Sequence, residues 1–592
     1  MTIDLAAKPP LPRPFVEQSP QSEESALGDL ASHGHDRIVK HFRQVVLWPL
    51  QLMPIHEDLP IQKHCDFLQS NEFNALWREV EDEFTGDPSQ FQERHYSEFI
   101  TFLPSVQRFL YGEGTGRGPD INQESPIRVF RRSDVAKVRM TYPDAGTQTI
   151  IFDVAHIDLY FFYDIDIVIL AMEIFADHLP LTCVEDTLLR FARGYPTYWE
   201  DEGHGGHCLK KVDWLAKDGT VLASSDYEDK MKYLSFACRY RAPCIASHWE
   251  FLLTPLVLHH SGKVGLIRYR QIESHLLPLM AYLAIDNPAL LTREDFIRLG
   301  LAAPPDSSDS FPYSEHDRHD HEKRCFYDRY WKRDRVPPGT RFICSGRVFT
   351  EVTGCSDSLS ASRKTGLEQF RHEYFVLFLI SHFHKAAMLM LSDRLVDALN
   401  RLQPDNLESI RHFREMTRQI LGVFLRFTHR YWFQDVSEHT QVRELFRMTN
   451  KHLGTARLYT EVREAIEDMS QYLDSDVLRR QGETMVRLTV VTTVGLIGMA
   501  TTGFLGMNLI AEADAPLVRK LFIFLSVLIP TTAVTLYTIL KSRRLSEFLE
   551  KMSDEHALVK SKFLAFLDVW RTKHDRWIGS MKDRKRWTPR TD

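Results

Sequence analysis

The sequence lacks the paired cysteines that mark a disulfide framework or a zinc site. Its eight cysteines are scattered before the C-terminal third, and no two of them form a CxxC pair. This pattern is typical of reduced thiols in the cytosol. The sequence also lacks a P-loop, a Gly-x-Ser-x-Gly motif, a His-Glu-x-x-His motif and a dinucleotide fingerprint, so we do not expect an enzyme.

The N-terminus lacks the basic start and apolar core of a secretory signal peptide. Residues 1–35 are instead rich in Pro, Ser and Glu, a composition that cannot bury enough apolar surface to fold, so we predict a disordered N-terminus that stays in the cytoplasm. The net charge of -7 over 592 residues is too small to indicate a charged partner, and we predict no nucleic-acid partner. The length suffices for a large soluble core beside any membrane part.

Charged residues are missing from two long stretches near the C-terminus. None occurs in 488–511 or in 521–540, and each stretch is about as long as the roughly 20 residues that a bilayer-spanning helix needs. We therefore predict transmembrane helices at 485–508 and 519–540, joined by an outer loop at 509–518. The first helix is rich in Thr and Gly, residues that permit close helix packing and give a pore wall some polarity.

The end of the first stretch carries a tripeptide, Gly506-Met507-Asn508, in a position that resembles the CorA family of magnesium and other divalent-cation channels. The resemblance covers about 453–544: a charged helix enters the first span, the tripeptide ends it, and an acidic loop, a second span and a basic cluster follow. The chain departs from the family pattern at Leu505 and Leu509, where aromatic residues are usual, and in its long tail.

The resemblance implies a magnesium channel or transporter of the inner or plasma membrane, with cobalt and nickel as further cargo. It implies a selectivity filter at Gly506, Met507 and Asn508, in which a ring of Asn508 amides would accept hydrogen bonds from the water shell of Mg²⁺. Glu512 and Asp514 on the loop beyond would attract cations. The alternative for this loop is a merely soluble turn.

The first predicted span also carries a stripe at coiled-coil spacing, which fits either pore lining or ordinary helix packing. The resemblance favours pore lining by the residues of this stripe: Met485, Leu488, Thr492, Leu496, Met499 and Gly503. Two spans per chain cannot enclose an aqueous path, so a pore needs a homo-oligomer, which the resemblance implies is a pentamer.

Basic residues flank the two predicted spans, and acidic ones lie between them. Arginines precede the first span, and Lys541, Arg543 and Arg544 follow the second, so the positive-inside rule predicts a multi-pass protein with both termini in the cytoplasm. The tail at 541–592 reads as a basic amphipathic helix, suited to packing around the stalk or to lying on anionic lipid.

The part before the spans is predicted to be a cytoplasmic mixed α/β domain at 36–305, followed by a linker at 306–365 and by long helices and a stalk at 366–484. Strand-like alternation fills 127–176, whereas 275–285 has a helical pattern.

A histidine-rich tract in the predicted linker resembles a zinc- or nickel-binding tract, but a solvated loop is favoured; its residues are His316, Asp317, His319, Asp320 and His321. His382 and His384 lie two residues apart, on different helix faces, which argues against a paired metal site.

The resemblance also implies a regulatory role for cytoplasmic Mg²⁺, bound between carboxylates of neighbouring subunits to keep the pore shut. No motif places these carboxylates, and the candidates are Asp153, Asp164 and Asp166 in the strand region and Glu464, Glu467 and Asp468 on the stalk. Two other functions remain open: a zinc transporter of the same superfamily, and a membrane-anchored sensor or scaffold that transports nothing.

Overall fold

The computed structural model describes residues 37–53, 68, 76–80, 93–112, 127–143, 148–162, 165–201, 203–260, 267–305, 313–332, 339–355, 366–403 and 406–506, with scattered positions in 516–537. The chain divides into two compact units, Met1–Ile466 and Glu467–Asp592.

The first unit contains one mixed sheet of fourteen strands among the described residues. The strands are β1 Ile38–Met53, β2 Trp77–Glu79, β3 Ile127–Arg132, β4 Lys137–Thr141, β5 Thr149–Phe162, β6 Ile167–Pro180, β7 Lys211–Leu215, β8 Val221–Ser224, β9 Leu256–Leu258, β10 Ile267–Gln271, β11 Leu279–Ile285, β12 Phe326–Tyr327, β13 Arg341–Cys344 and β14 Val348–Gly354.

The long strand β1 lies near the middle of this sheet. The main path runs β12-β13-β14-β11-β1-β6-β5-β4-β7-β8, and β1 pairs antiparallel with both β6 and β11. Alternate residues of β1, including Phe42, Val46 and Trp48, belong to a large buried cluster on one face of the sheet. The opposite face is packed against a long helix, so β1 is buried on both faces.

The helices are α1 Glu93–Thr101, α2 Pro104–Tyr111, α3 Leu181–Arg190, α4 Lys230–Tyr240, α5 Ser247–Leu253, α6 Arg293–Leu301, α7 Glu315–Cys325, α8 Phe375–Asn400, α9 Leu407–Arg430, α10 Thr440–Leu453 and α11 Thr455–Gly506. A short 3-10 helix, Pro288–Leu290, precedes α6, and a π-helical turn, Phe370–Tyr374, leads into α8.

Helix α8 packs against β1 and β6 and is buried nearly all round. Together with the turn before it, this helix forms the one segment of the described residues, Gly366–Asn400, that is long and apolar enough to cross a membrane by length and composition. However, 83% of its apolar window is buried inside the protein. A helix that is apolar on every side and covered by its own chain is the core helix of a folded domain.

The predicted strand region agrees with β3–β6, but two other predictions are wrong. Residues 275–285 contain β11 rather than a helix, because this short apolar run is buried on both faces of the sheet and so has no strand alternation. The predicted linker at 306–365 contains α7, β13 and β14, so the sheet domain extends beyond residue 305.

Helix α11 is a continuous helix of 52 residues. It starts directly after Gly454, whose φ of 68° places it in the left-handed region and ends α10 at that point. Its length of about 78 Å follows from a rise of about 1.5 Å per residue. The predicted stalk and the first part of the predicted span are therefore one element.

Candidate ion-conduction segment

The six residues predicted to line a pore lie on one face of α11. At 100° per residue they occupy a sector of about 80°. Every one of them is exposed, and the large apolar members are between 63% and 73% exposed: Met485, Leu488, Leu496 and Met499. We call these six residues, which include Thr492 and Gly503, the pore stripe.

Another face of α11 is covered. Val462, Ile466, Met469 and Leu473 recur at intervals of three and four residues and are all buried, and Val490 is buried on a later turn. Most described side chains of α11 beyond residue 480 are exposed, and the pore stripe is among them.

Threonine hydroxyls in this segment donate to backbone carbonyls of the same helix. Thr489 Oγ1 lies 2.9 Å from the Met485 oxygen, and Thr492 Oγ1 lies 3.0 Å from the Leu488 oxygen. These bonds satisfy the hydroxyl protons without water, which suits a helix in an apolar environment. The hydroxyl oxygens keep lone pairs that can accept further hydrogen bonds.

Of the remaining filter and loop residues, the structure describes only Gly506. Gly506 is the last residue of α11. Met507, Asn508, Glu512 and Asp514 lie outside the described residues.

The structure describes five of the six candidate regulatory carboxylates. Asp153 is half-exposed and lies 3.4 Å from Lys137 Nζ, whereas Asp166 is buried in an ion pair with Arg394. Asp164 lies outside the described residues. Glu464, Glu467 and Asp468 are exposed on α11, within two helical turns.

The histidine-rich tract forms α7 rather than a loop, and its charges hold it against α6. Ser314 caps this helix, and Arg318 Nη1 donates to Glu294 Oε1 at 2.8 Å. Arg293 of α6 in turn pairs with Glu315 and Glu322 of α7. Within the ranges that the structure describes, no group of three or more His, Cys, Asp or Glu side chains could hold a metal ion.

His382 and His384 face different partners, as the sequence predicts. His382 Nε2 lies 3.3 Å from the Gly346 carbonyl oxygen, and His384 Nε2 lies 2.6 Å from that of Tyr431. Both rings are fully buried, and burial lowers the pKa of His384 to about 4. They are core histidines that bond to the backbone.

Sequence reasoning missed a buried ionic network between the sheet and the start of α8. His156 lies between two buried carboxylates, with Nδ1 3.2 Å from Asp158 Oδ2 and Nε2 3.0 Å from Glu173 Oε2. Arg131 binds Asp158 through two hydrogen bonds of 2.8 Å, and Arg371 of the π-helical turn reaches Glu173 at 3.0 Å. This network ties the sheet to α8.

The pKa values in the network follow from its contacts. Burial opposes the charge on His156, but hydrogen bonds to Asp158 and Glu173 raise its pKa to about 9. Burial would raise the pKa of Glu173, yet His156 and two arginines lower it to about 2. All members are therefore charged at neutral pH.

Comparisons with known proteins found two similar solved structures. No protein-family model and no curated protein matches the chain. Among solved structures, the chain is similar to the full-length CmaX protein at 15% identity and to the CorA magnesium transporter from Methanocaldococcus jannaschii at 12%. Each match covers 47% of this chain and 94% of the other, with a TM-score of 0.16. Similarity at this level does not establish the fold or the activity of this chain.

Proposed function

We propose that the protein is a divalent-cation channel or transporter whose pore is formed by several copies of α11. The observation that carries this proposal is the pore stripe, a row of apolar and threonine side chains that the single chain leaves exposed. Five of its six residues lie in the uncharged stretch 488–511, within which α11 ends at Gly506.

The exposed apolar side chains of the pore stripe are expected to be covered by lipid or by another protein surface. Single soluble chains rarely expose large contiguous apolar patches, and membrane lipid or another protein copy supplies the cover where they do. Apolar side chains are also highly exposed at described positions of the second uncharged stretch and just before it: Leu517, Val518, Phe522, Ile529 and Val534. Two surfaces of this kind support a membrane hairpin whose first helix faces neighbouring copies.

The exposed stripe suits a gate. Rings of Leu496 and Met499 contributed by several copies would exclude water and close the path by dewetting, while Thr492 would offer oxygen atoms to a hydrated ion. Asn508 at the outer end would select the hydrated cation through its amide oxygen. Magnesium is the expected main cargo, because it sheds water reluctantly and such a filter leaves its shell intact.

The deciding experiment is cation flux into liposomes that contain the purified full-length protein, with Mg²⁺, Co²⁺, Ni²⁺ and Zn²⁺ compared in parallel. Protein-free liposomes serve as the control. Uptake of Mg²⁺ above the control supports the proposal, whereas uptake of Zn²⁺ alone would make the chain a zinc transporter. Absence of all flux would leave a sensor or scaffold. Native mass measurement tests the expected pentamer.

A further inference from the structure

Two arginines of the sheet domain, buried Arg193 and half-buried Arg347, have no acidic partner among the described residues. Arg193 follows α3 and is only 7% exposed, and its Nε donates to the Leu189 carbonyl oxygen at 3.0 Å. Arg347 precedes β14, and its Nη2 donates to the Leu301 carbonyl oxygen at 3.1 Å. Among the described residues, neither guanidinium forms an ion pair. A buried charge without a counterion is costly, so a site of this kind is incomplete.

Backbone contacts bring the two arginines to the same part of the sheet: Arg193 forms a β-bridge with Leu276, and the Leu279 nitrogen donates to the Arg347 carbonyl oxygen at 2.9 Å. Burial and then the charge of Arg193 lower the pKa of Arg347 to about 10. Burial also lowers the pKa of His275, and the further causes are the positive charges of Arg193, Arg347 and His207. Glu200 has a small opposing effect on His207.

The nearby acidic side chains are bound to other cations. Asp186 pairs with Arg190 at 2.5 Å. Glu273 lies two residues before His275 in sequence, but Lys385 Nζ holds its carboxylate at 3.0 Å. The positive charge of the arginine pair is therefore not balanced by these groups.

Uncharged hydrogen-bond donors gather at the same place, around Gly194. A side chain there would meet the Trp48 ring at 3.5 Å and Gln271 Nε2 at 3.9 Å, so the missing Cβ lets both residues approach. The Trp48 indole nitrogen and Gln271 Nε2 are buried and make no hydrogen bond. The Gly194 nitrogen donates to the His275 carbonyl oxygen at 2.9 Å, which links this point to the histidine.

We propose that Arg193, Arg347 and His275, with the indole of Trp48 and the amide of Gln271, form a binding site for a phosphate-type oxyanion, either free or carried by a nucleotide. The two unsatisfied groups at Gly194 are donors, the arginine and histidine side chains can donate as well, and a tetrahedral oxyanion offers several acceptor oxygens at once. The planar guanidinium fork matches phosphate oxygens in two-point hydrogen bonding. No residue of the proposed ion path takes part, so this site is independent of the proposed transport.

The test is thermal unfolding of the full-length protein in detergent, followed by tryptophan fluorescence, in sodium phosphate and in sodium chloride of equal ionic strength. We expect phosphate to raise Tm by about 3 °C, because a ligand that binds only the folded state stabilises it. Titration with metal-free ATP distinguishes the sources of the oxyanion. Tighter binding of ATP than of phosphate indicates a nucleotide, and the reverse indicates free phosphate.

Arg347→Gln is the informative variant. In chloride its Tm should equal or exceed that of the wild type, because the substitution removes repulsion from Arg193. Its affinity for phosphate, measured by calorimetry, should fall at least about tenfold. Arg418→Gln, an exposed arginine of α9, is the matched control and should bind as the wild type does. The proposal is overturned if neither phosphate nor ATP raises Tm above the chloride value, or if Arg347→Gln binds them as tightly as the wild type.

Discussion

His156 Nε2 lies 3.0 Å from Oε2 of Glu173, and these two residues are cross-strand partners on β5 and β6. The Glu173 carboxylate is 1% exposed and also binds Arg43 and Arg371. The pair therefore connects the sheet to the segment that precedes α8.

Replacing His156 by Gln should destabilise the fold by about 3 kcal/mol, because it leaves buried charges without a partner. The raised pKa of His156 means that its contribution is complete below its ordinary value of 6.5 and is lost as the pH rises through about 9. The lowered pKa of Glu173 means that its contribution is complete above 4.5 and is lost as the pH falls through about 2.

Tm measured by tryptophan fluorescence between pH 6 and about pH 9.5 checks this prediction. The wild type should lose stability across that range, and the variant should lose less. His412→Gln, at an exposed position of α9, is the control and should follow the wild-type curve. Parallel curves for wild type and His156→Gln would show that the network does not titrate as described.

Asn508→Ala or Asn508→Asp should abolish or deregulate divalent uptake and leave assembly intact, since the proposed filter is a ring at the pore mouth and not a packing core. Liposome flux and size-exclusion elution measure the two effects. Asn400→Ala, at the exposed end of α8, should leave flux unchanged. Wild-type uptake by both Asn508 variants would remove the basis for a selectivity ring.

Leu496→Asn should raise basal flux about tenfold, which corresponds to lowering a barrier by ~1.4 kcal/mol, because a polar ring no longer excludes water. Val491→Asn is the matched control in the same helix, since Val491 is also exposed but lies outside the pore stripe. Equal flux through the two variants would mean that the stripe does not face the ion path.

Glu512→Gln combined with Asp514→Asn should lower flux modestly at low ionic strength and hardly at all at high salt. Exposed charges attract cations over long distances, and salt screens that attraction. Flux at two salt concentrations measures the effect. A loss of the same size at both concentrations would instead make one of these residues a direct ligand.

Neutralising Glu464, Glu467 and Asp468 together should remove any protection from proteolysis that millimolar Mg²⁺ gives the cytoplasmic region. Bound metal stabilises the state that binds it. Asp166 is buried in its ion pair with Arg394, whereas the stalk acids are exposed. Cleavage that is identical with and without Mg²⁺ in the wild type would point to gating by another signal.

The sequence was sufficient where a periodic pattern was long. Alternation in 127–176 predicted β3–β6, and the spacing of Met485, Leu488 and Leu496 placed them on one helix face. Short apolar runs were not sufficient: β11 has only seven residues, all buried, and such a run fits a strand and a buried helix equally well.

Contacts between distant parts of the chain could not be predicted from the sequence. The pairing of His156 with Glu173 depends on a register shift between Val154 and His156. A bulge of this kind cannot be predicted from the alternation of residues along a strand. Arg193 and Arg347 are far apart in sequence, and only the folding of the chain brings them close enough for the charge of Arg193 to lower the pKa of Arg347. Each residue by itself looks like an ordinary surface arginine.

Because α11 is long and unbroken, a small tilt at one end of this helix produces a large displacement at the other end. Tilting a rod of about 78 Å by about 5° around its Thr455 end moves the Gly506 end by about 7 Å. That displacement exceeds the height of one helical turn, although the tilt near Thr455 shifts neighbouring atoms by a small fraction of it. A rearrangement too small to disturb side-chain packing at one end of this helix is therefore enough to reposition its other end.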